Sequence, residues 1–391
     1  MKNTQRPKSR RSAGYKPVKA EKPAKTEQAS EKEEKPARKK ENIFVKLRNA
    51  IFPCKGDSVT ESVRKVVFDI AVVALIITGG SLIFDVVDRA VETGKDSQLA
   101  EKYDDLRNED EATIEGQLNL SDEEKEAIRK EQPDILPSFM ELYNQNDDIV
   151  GWITVGDKDG KIGQIVNHPV MQSADNDYYL THSFERKETK GGAIFADYRN
   201  QFDAGKLSGN TVLYGHNIWD GTMFAKLTRY YDATLFGEYS DKLGFYKENP
   251  TIIFDTLYER AEWKVFACVL FNTDEKNGEV YPYTQIQDFE SEASFNSFIL
   301  DIMDRSVLWT DVDLTYGDEI LTLSTCYYPY GENIDTRCVV FARKVRDGES
   351  TEVDVSKAQR NENPLMFTYQ YQVLGGSWKG RTWDTSKLLS Y

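Results

Sequence analysis

The chain has 391 residues, is 39% hydrophobic and 12% aromatic, and so can bury one large core with appendages or two smaller cores. Its net charge of −15 is unevenly spread: residues 1–65 hold 19 Lys/Arg against 8 Asp/Glu, a surplus of +11, and the remainder holds 31 against 57, or −26. A basic tail on an acidic body excludes the usual nucleic-acid enzyme, whose basic face lies on the folded part, and fits a protein sorted across a membrane.

Residues 1–42 are Lys, Glu, Pro, Ala and Ser with almost no aliphatics, too few to offset ordering entropy, and are expected to be disordered. With the basic stretch that follows they are assigned as a disordered cytoplasmic tail, 1–65. Residues 66–87 form the membrane candidate: 70–84 lacks charge, Asp69 and Asp85 lie near the two ends, and 22 residues suffice where about 20 are needed. A single-pass span is therefore placed at 66–88. Arg48, Lys55, Arg64 and Lys65 precede it and acidic residues follow, which puts the N-terminus in the cytoplasm and everything after 88 outside. Residues 89–134 are polar and helix-prone, and Ser121-Asp122-Glu123-Glu124 predicts a capping box opening a helix toward Lys130. Pro133 and Pro137 break that helix, and Pro137 sits at the first turn of a short one over 138–144.

From Ile149 the texture changes to short β-branched and aromatic runs separated by turn residues. Strands are predicted at 149–155, 162–166, 193–195, 211–214, 251–255, 261–271, 320–325 and 339–344, the pattern of a mainly β, antiparallel barrel or sandwich. One helix interrupts them, with Phe295, Phe298, Ile299 and Ile302 at helical spacing over 289–303 and Phe289 marking its entry. Residues 135–347 are taken as the catalytic domain. The extension 348–391 carries Trp378, Trp383 and several Tyr, which argues against simple disorder, and no role is read from it.

The four cysteines, Cys54, Cys268, Cys326 and Cys338, form no CxxC pair. Cys268 and Cys338 sit in apolar runs and read as core thiols. Cys326 instead closes the run 320–325, and Arg337 follows eleven positions later at the head of the next strand. Two adjacent strand ends bring a thiol and a permanent cation to one rim, which suits attack on a carbonyl carbon and stabilisation of the resulting oxyanion. Of the three histidines, His168 reads as a turn residue before Pro169 and His182 follows Tyr178-Tyr179-Leu180-Thr181. His216 is delivered by the apolar run 211–215, with Gly215 permitting close backbone approach.

Thr322-Leu323-Ser324-Thr325-Cys326 with Arg337, together with Leu213-Tyr214-Gly215-His216 and Asp220-Gly221-Thr222-Met223-Phe224, resembles a class B sortase. Asn176-Asp177-Tyr178-Tyr179-Leu180, leading to Gly191-Gly192-Ala193-Ile194-Phe195, is similar to that family as well, and the resemblance covers 135–345. It implies a closed eight-stranded sortase-type β-barrel with N-terminal helices and one long helix before the cysteine strand. It also implies a cysteine transpeptidase on the outer face of a Gram-positive-type membrane. Cys326 is then the nucleophile, His216 the general acid/base and Arg337 the oxyanion or substrate cation. Asn176, Leu180, Tyr214, Ser324 and Thr325 are implied to line the peptide groove. The implied partners are surface proteins with an NPxTG-like sorting signal, cut after Thr, and an amine of a peptidoglycan precursor or a pilin. No cofactor, metal or nucleic acid is implied. The long basic tail and the C-terminal extension depart from the family pattern. A silent peptide-binding module and a hydrolase using water remain open readings, as does metal binding by His216, Cys326 and Cys338, which Arg337 would oppose.

Overall fold

A computed structural model describes residues 42–157 and 162–389. The chain divides into two compact units, Met1–Leu82 and Ile83–Tyr391. The expectation of disorder over 1–41 lies outside the described residues. In the first unit, helix α1 (Ile43–Ile51) is capped by the Asn42 side chain, and α2 (Val59–Asn108) begins shortly after, so 43–51 and 59–65 are helical rather than part of a disordered tail. The apolar character that sets in at Ile43-Phe44-Val45 is what the basic composition hid. Lys65 donates to the Asn49 carbonyl at 2.6 Å and to Asp57 at 2.8 Å, tying α1 to the start of α2. Within α2 an 18-residue window of mean hydropathy 2.4 has none of its residues buried, and by length and composition it can cross a membrane.

In the second unit the last turns of α2 carry Tyr103, which stacks on Trp152 at 4.4 Å and donates to Asp255 at 3.0 Å. Helices α3 (Glu111–Gln117), α4 (Asp122–Glu131) and α5 (Pro137–Gln145) follow. The reciprocal Ser121/Glu124 capping box opens α4 and Pro137 starts α5, as their sequences predict. Ile128, Phe139, Met140 and Leu142 from these helices close one side of the barrel over Ile149 and Trp152.

Eight strands form that barrel: β1 (Ile149–Val155), β2 (Val166–Met171), β3 (Ile194–Ala196), β4 (Asn210–Tyr214), β5 (Thr251–Thr256), β6 (Glu262–Asn272), β7 (Ile320–Cys326) and β8 (Thr336–Lys344). The sheet closes in the order β1-β2-β3-β4-β7-β8-β6-β5. Two pairs, β2 with β3 and β4 with β7, are parallel, so the all-antiparallel expectation is corrected; both partners are joined by long crossovers instead of hairpins. β2 also lies later than the predicted 162–166, because the run continues through Pro169; β2 meets β3 only at Val170 and Met171, so Pro169 removes no bond from that shared edge.

Alternation sorts the residues of β7 and β8 into two faces. Leu321 and Leu323, with Cys338, Val340 and Ala342, point into the barrel and join Val155, Phe254 and Trp263 there. Ile320, Val339 and Phe341 point outward and are covered by Phe295, Phe298, Ile299 and Ile302 of the helix Glu292–Arg305. Both strands are therefore buried on both faces and read as continuous apolar runs. That helix starts at Glu292 behind a Ser291 cap, and Phe289 packs on Phe295 and Phe298 just ahead of it. The extension after the barrel is ordered against it: Gln359–Arg360 pairs with Leu308–Trp309, Leu388–Leu389 pairs with Leu314–Thr315, and Trp383 is buried under the same helix.

Candidate active site

β7 and β8 are antiparallel neighbours, and their register makes Cys326 the direct partner of Arg337. β4 runs parallel to β7 on its other side, so its C-terminal end arrives at the same rim. The contacts then continue beyond the end of β4: Gly215 N–H donates to the Ser324 carbonyl at 3.2 Å, and Asn217 Nδ2 donates to the Cys326 carbonyl at 2.6 Å. His216 lies between these two bonds and cannot drift from the cysteine strand without breaking one of them.

Gly215 answers a steric demand. A Cβ there would stand 2.6 Å from Cγ of Phe224, whose ring is fully buried. The Phe224 N–H in turn donates to the His216 carbonyl at 3.0 Å and an Asn217–Met223 bridge closes the loop. Arg89 of α2 braces that loop from outside, donating to Asp220 at 3.0 Å and to the Thr222 hydroxyl at 2.7 Å. His216 is half-buried, with Nε2 at 2.8 Å from the Leu180 carbonyl. A carbonyl only accepts, so Nε2 carries the proton of this bond and Nδ1 is the nitrogen left for proton exchange.

Arg337 is held by a residue that the sequence did not single out. Asp335, two positions earlier, accepts from both terminal guanidinium nitrogens, and it also accepts from the Thr273 hydroxyl at 2.6 Å. Burial pushes the Asp335 carboxyl up, but the hydrogen bonds from Arg337 and Thr273 overcome this and hold it below the ordinary range. For Arg337, burial works against the charge, while Asp335 and the neighbouring Cys326 outweigh it and keep the cation. Burial raises the Tyr328 hydroxyl to about 12, and the adjacent Cys326 acts in the same direction.

An open groove of about 520 Å³ runs past these groups and contains Asn176, Leu180, Tyr214, His216, Ser324, Thr325, Cys326 and Arg337 in its lining. All eight residues singled out from the sequence thus meet at one place, though not in equivalent ways. Tyr214 donates to Asp197 at 2.9 Å, Asn176 donates to the same carboxylate at 3.0 Å, and the Ser324 hydroxyl is bonded to Tyr283 at 2.8 Å. Those polar ends are already used inside the protein. Thr325 alternates to the face opposite Cys326 and is buried, so its side chain is not presented as Leu180 is. The opposite wall, Val280, Tyr281, Pro282 and Tyr283, was missed; its only sequence signal was a Tyr/Pro cluster inside a loop.

The remaining histidines and cysteines stand elsewhere. His168 lies in β2, not in a turn, and burial lowers it to about 4, which leaves it neutral at physiological pH. His182 stacks on Tyr178 at 4.1 Å. Cys338 points into the barrel, 3.8 Å from Cys268, on the face opposite Cys326, which removes it from any metal set shared with Cys326 and His216.

A thiol, an imidazole and a fixed guanidinium on one groove are the equipment of cysteine acyl transfer. The family model for the sortase domain matches residues 162–345. Sortase B of Staphylococcus aureus is 34% identical over 219 residues, 56% of this chain and 79% of that protein. Sortase B of Listeria monocytogenes is 32% identical over 193 residues, 49% of this chain and 68% of that protein. The solved Staphylococcus aureus sortase B–substrate complex is 29% identical, spans 66% of this chain and 99% of its own, and has a TM-score of 0.48. The chain belongs to the sortase family, within class B, and is a sortase cysteine transpeptidase.

Proposed function

We propose that this transpeptidase is held in the membrane by the apolar part of α2 with its N-terminus in the cytoplasm, and that it joins surface proteins to an amine acceptor outside. The observation that carries the reading is the direct cross-strand pairing of Cys326 with Arg337, with His216 lining the same groove. The domain that acts is 135–347.

Cys326 gives its thiol proton to Nδ1 of His216 and as thiolate attacks the carbonyl carbon of the Thr in an NPxTG-like signal, and the electron pair moves to the oxygen. Arg337, kept charged by Asp335, stabilises that oxyanion. Collapse breaks the C–N bond, and the departing amine takes a proton from Nδ1 of His216, leaving a thioacyl-enzyme. An acceptor amine from a peptidoglycan precursor or a pilin then attacks the thioester. It gives its proton back to Nδ1, and the Cys326 thiolate leaves. Leu180 and the apolar wall of Tyr281 and Pro282 support a role in holding the signal's side chains. Asn176, Tyr214 and Ser324 act mainly by shaping the groove floor, because their polar ends are engaged within the protein. The C-terminal side of α2 is acidic and its N-terminal side basic, which supports the orientation.

The test is in vitro ligation of an NPxTG-type peptide to an amine. Cys326→Ala is expected to abolish product and the covalent intermediate while circular dichroism stays unchanged. Ligation by Cys326→Ala at the wild-type rate would overturn the reading.

A further inference from the structure

Residues 346–389 follow the barrel and lie beyond the stretch matched by the family model. They are tied down beside the helix Glu292–Arg305: Arg381 forms a two-bond pair with Asp304 at 2.7 and 2.8 Å, Leu365 N–H donates to the Asp304 carbonyl at 2.7 Å, and Asn361 Nδ2 donates to the Ser306 carbonyl at 2.7 Å. From this anchorage the segment reaches the loop 327–335, which joins Cys326 to Arg337.

That loop has little cover of its own. Of its nine residues only Ile334 is buried. Ile334 clusters with buried Leu270 of the barrel and Phe367 of the following segment, and Tyr231, Tyr327, Tyr330 and Tyr369 pack partly buried around them. Tyr330 of the loop meets Phe367 edge-on at 6.4 Å and Tyr369 at 6.1 Å, and its hydroxyl accepts from Gln370 Nε2 at 3.2 Å. Gln370 is itself buried. Thr368 also lies against Gly278, two residues before the opposite wall begins: a Cβ on Gly278, at φ +126°, would stand 2.6 Å from the Thr368 nitrogen. One short stretch, 367–370, thus touches the loop that joins Cys326 to Arg337 and the segment that leads into the opposite wall.

We propose that residues 367–370 are a clamp on the catalytic loop, with Phe367 and Gln370 as positioning residues for transpeptidation. Ile334 directly precedes Asp335, and Asp335 holds Arg337 opposite Cys326. Uncovering Ile334 removes the loop's one buried anchor, and the displacement passes through Asp335 to the guanidinium. A misplaced cation loses oxyanion stabilisation without altering the barrel. The catalytic half of this inference rests on the roles proposed above for Cys326 and Arg337; the clamping half does not.

The experiment compares the full-length protein in detergent with Phe367→Ala, Phe367→Leu and Gln370→Leu. Amide hydrogen exchange is read over 327–335 and over β7, and kcat and KM are measured for peptide-to-amine ligation. Phe367→Ala is expected to speed exchange in 327–335 at least tenfold and leave β7 unchanged. It should lower kcat at least fivefold with less than a twofold change in KM, and Phe367→Leu should restore most of it. Should Phe367→Ala fail to fold, Gln370→Leu, which removes the bond to Tyr330 and the 3.4 Å bond that Gln370 Oε1 accepts from the Phe367 N–H, is expected to show the same pattern at smaller size. Unchanged loop exchange in a folded variant overturns the clamp, as does faster loop exchange with wild-type kcat. A wild-type protein that ligates nothing would sink the functional reading instead, and the exchange comparison would then decide the clamp by itself.

Discussion

Gly215→Ala turns one atom's position into a test of the catalytic geometry. The added Cβ lies 2.6 Å from Cγ and 2.7 Å from Cδ2 of Phe224, against an ordinary contact that begins near 3.4 Å. The two groups must therefore separate by roughly 0.8 Å. Phe224 is fully buried and cannot swing away, and overpacking of this kind costs about 1–3 kcal/mol. The strain falls on two bonds, Phe224 N–H to the His216 carbonyl and Gly215 N–H to the Ser324 carbonyl, which fix His216 against β7. A shift approaching 1 Å at an acid/base group costs roughly 10²-fold in rate. We expect kcat for peptide-to-amine ligation to fall by about that factor, with KM changed much less and the melting temperature lowered by only a few degrees. Gly215→Ala combined with Phe224→Leu, which relieves the contact, should recover at least tenfold of the loss. Wild-type kcat in the single variant, or no recovery in the double variant, would show that His216 is not held through Phe224.

Arg337→Lys keeps the charge but replaces the planar fork that binds Asp335 by a point charge, and kcat/KM for ligation is expected to drop by about 10²- to 10³-fold, as for loss of an oxyanion donor; activity within threefold of wild type would remove Arg337 from the chemistry. Glu349→Ala tests the stability of the barrel's far side: Glu349 accepts from both terminal nitrogens of the fully buried Arg343 at 2.6 and 2.7 Å and from Lys264 at 2.5 Å. Stranding Arg343, which keeps the Lys344 carbonyl at 2.8 Å but only a 3.4 Å contact to a carboxylate, that of Asp313, should cost about 3 kcal/mol and lower the melting temperature by roughly 6–12 °C, and a loss under 1 kcal/mol would contradict the assigned network. The Arg343 hydrogen bonds hold the Glu349 carboxyl well below the ordinary carboxylate range, so its contribution is full above about pH 4.3. It is lost as pH falls through the lowered value. Denaturant unfolding in acid should show wild type and Glu349→Ala converging as pH decreases.

Much of this protein is legible in the linear chain because its signals are local. A capping box needs only Ser121 and Glu124, a helix start only Pro137, and a strand only its own alternation, so α4, α5 and most of the barrel strands lie close to their predicted bounds. Residue types bearing chemistry at strand ends, Cys326, Arg337 and His216, were likewise visible, since a polar group at either end of an apolar run lies at a sheet rim. The sequence also hid things that depend on partners far along the chain. The parallel pairing of β4 with β7 brings 214 beside 324, and nothing within either strand specifies it. His168 and Pro169 read as a turn because nothing local shows that β3 meets β2 only at 170 and 171, which leaves that edge free at the proline.

Composition, charge and the motif residues by themselves pointed to the apolar span, the acidic body and the three groups proposed for the acyl-transfer chemistry. Only the tertiary structure decided how those groups are held. Asp335 is one of many surface-type aspartates until folding sets it on Arg337; Phe224 explains Gly215 only when the loop closes; Phe367 has no meaning until it covers Ile334. The physical reason is common to all three. Side-chain chemistry belongs to a single residue, whereas its orientation and charge state come from neighbours that chain closure, not sequence proximity, brings within a few ångströms.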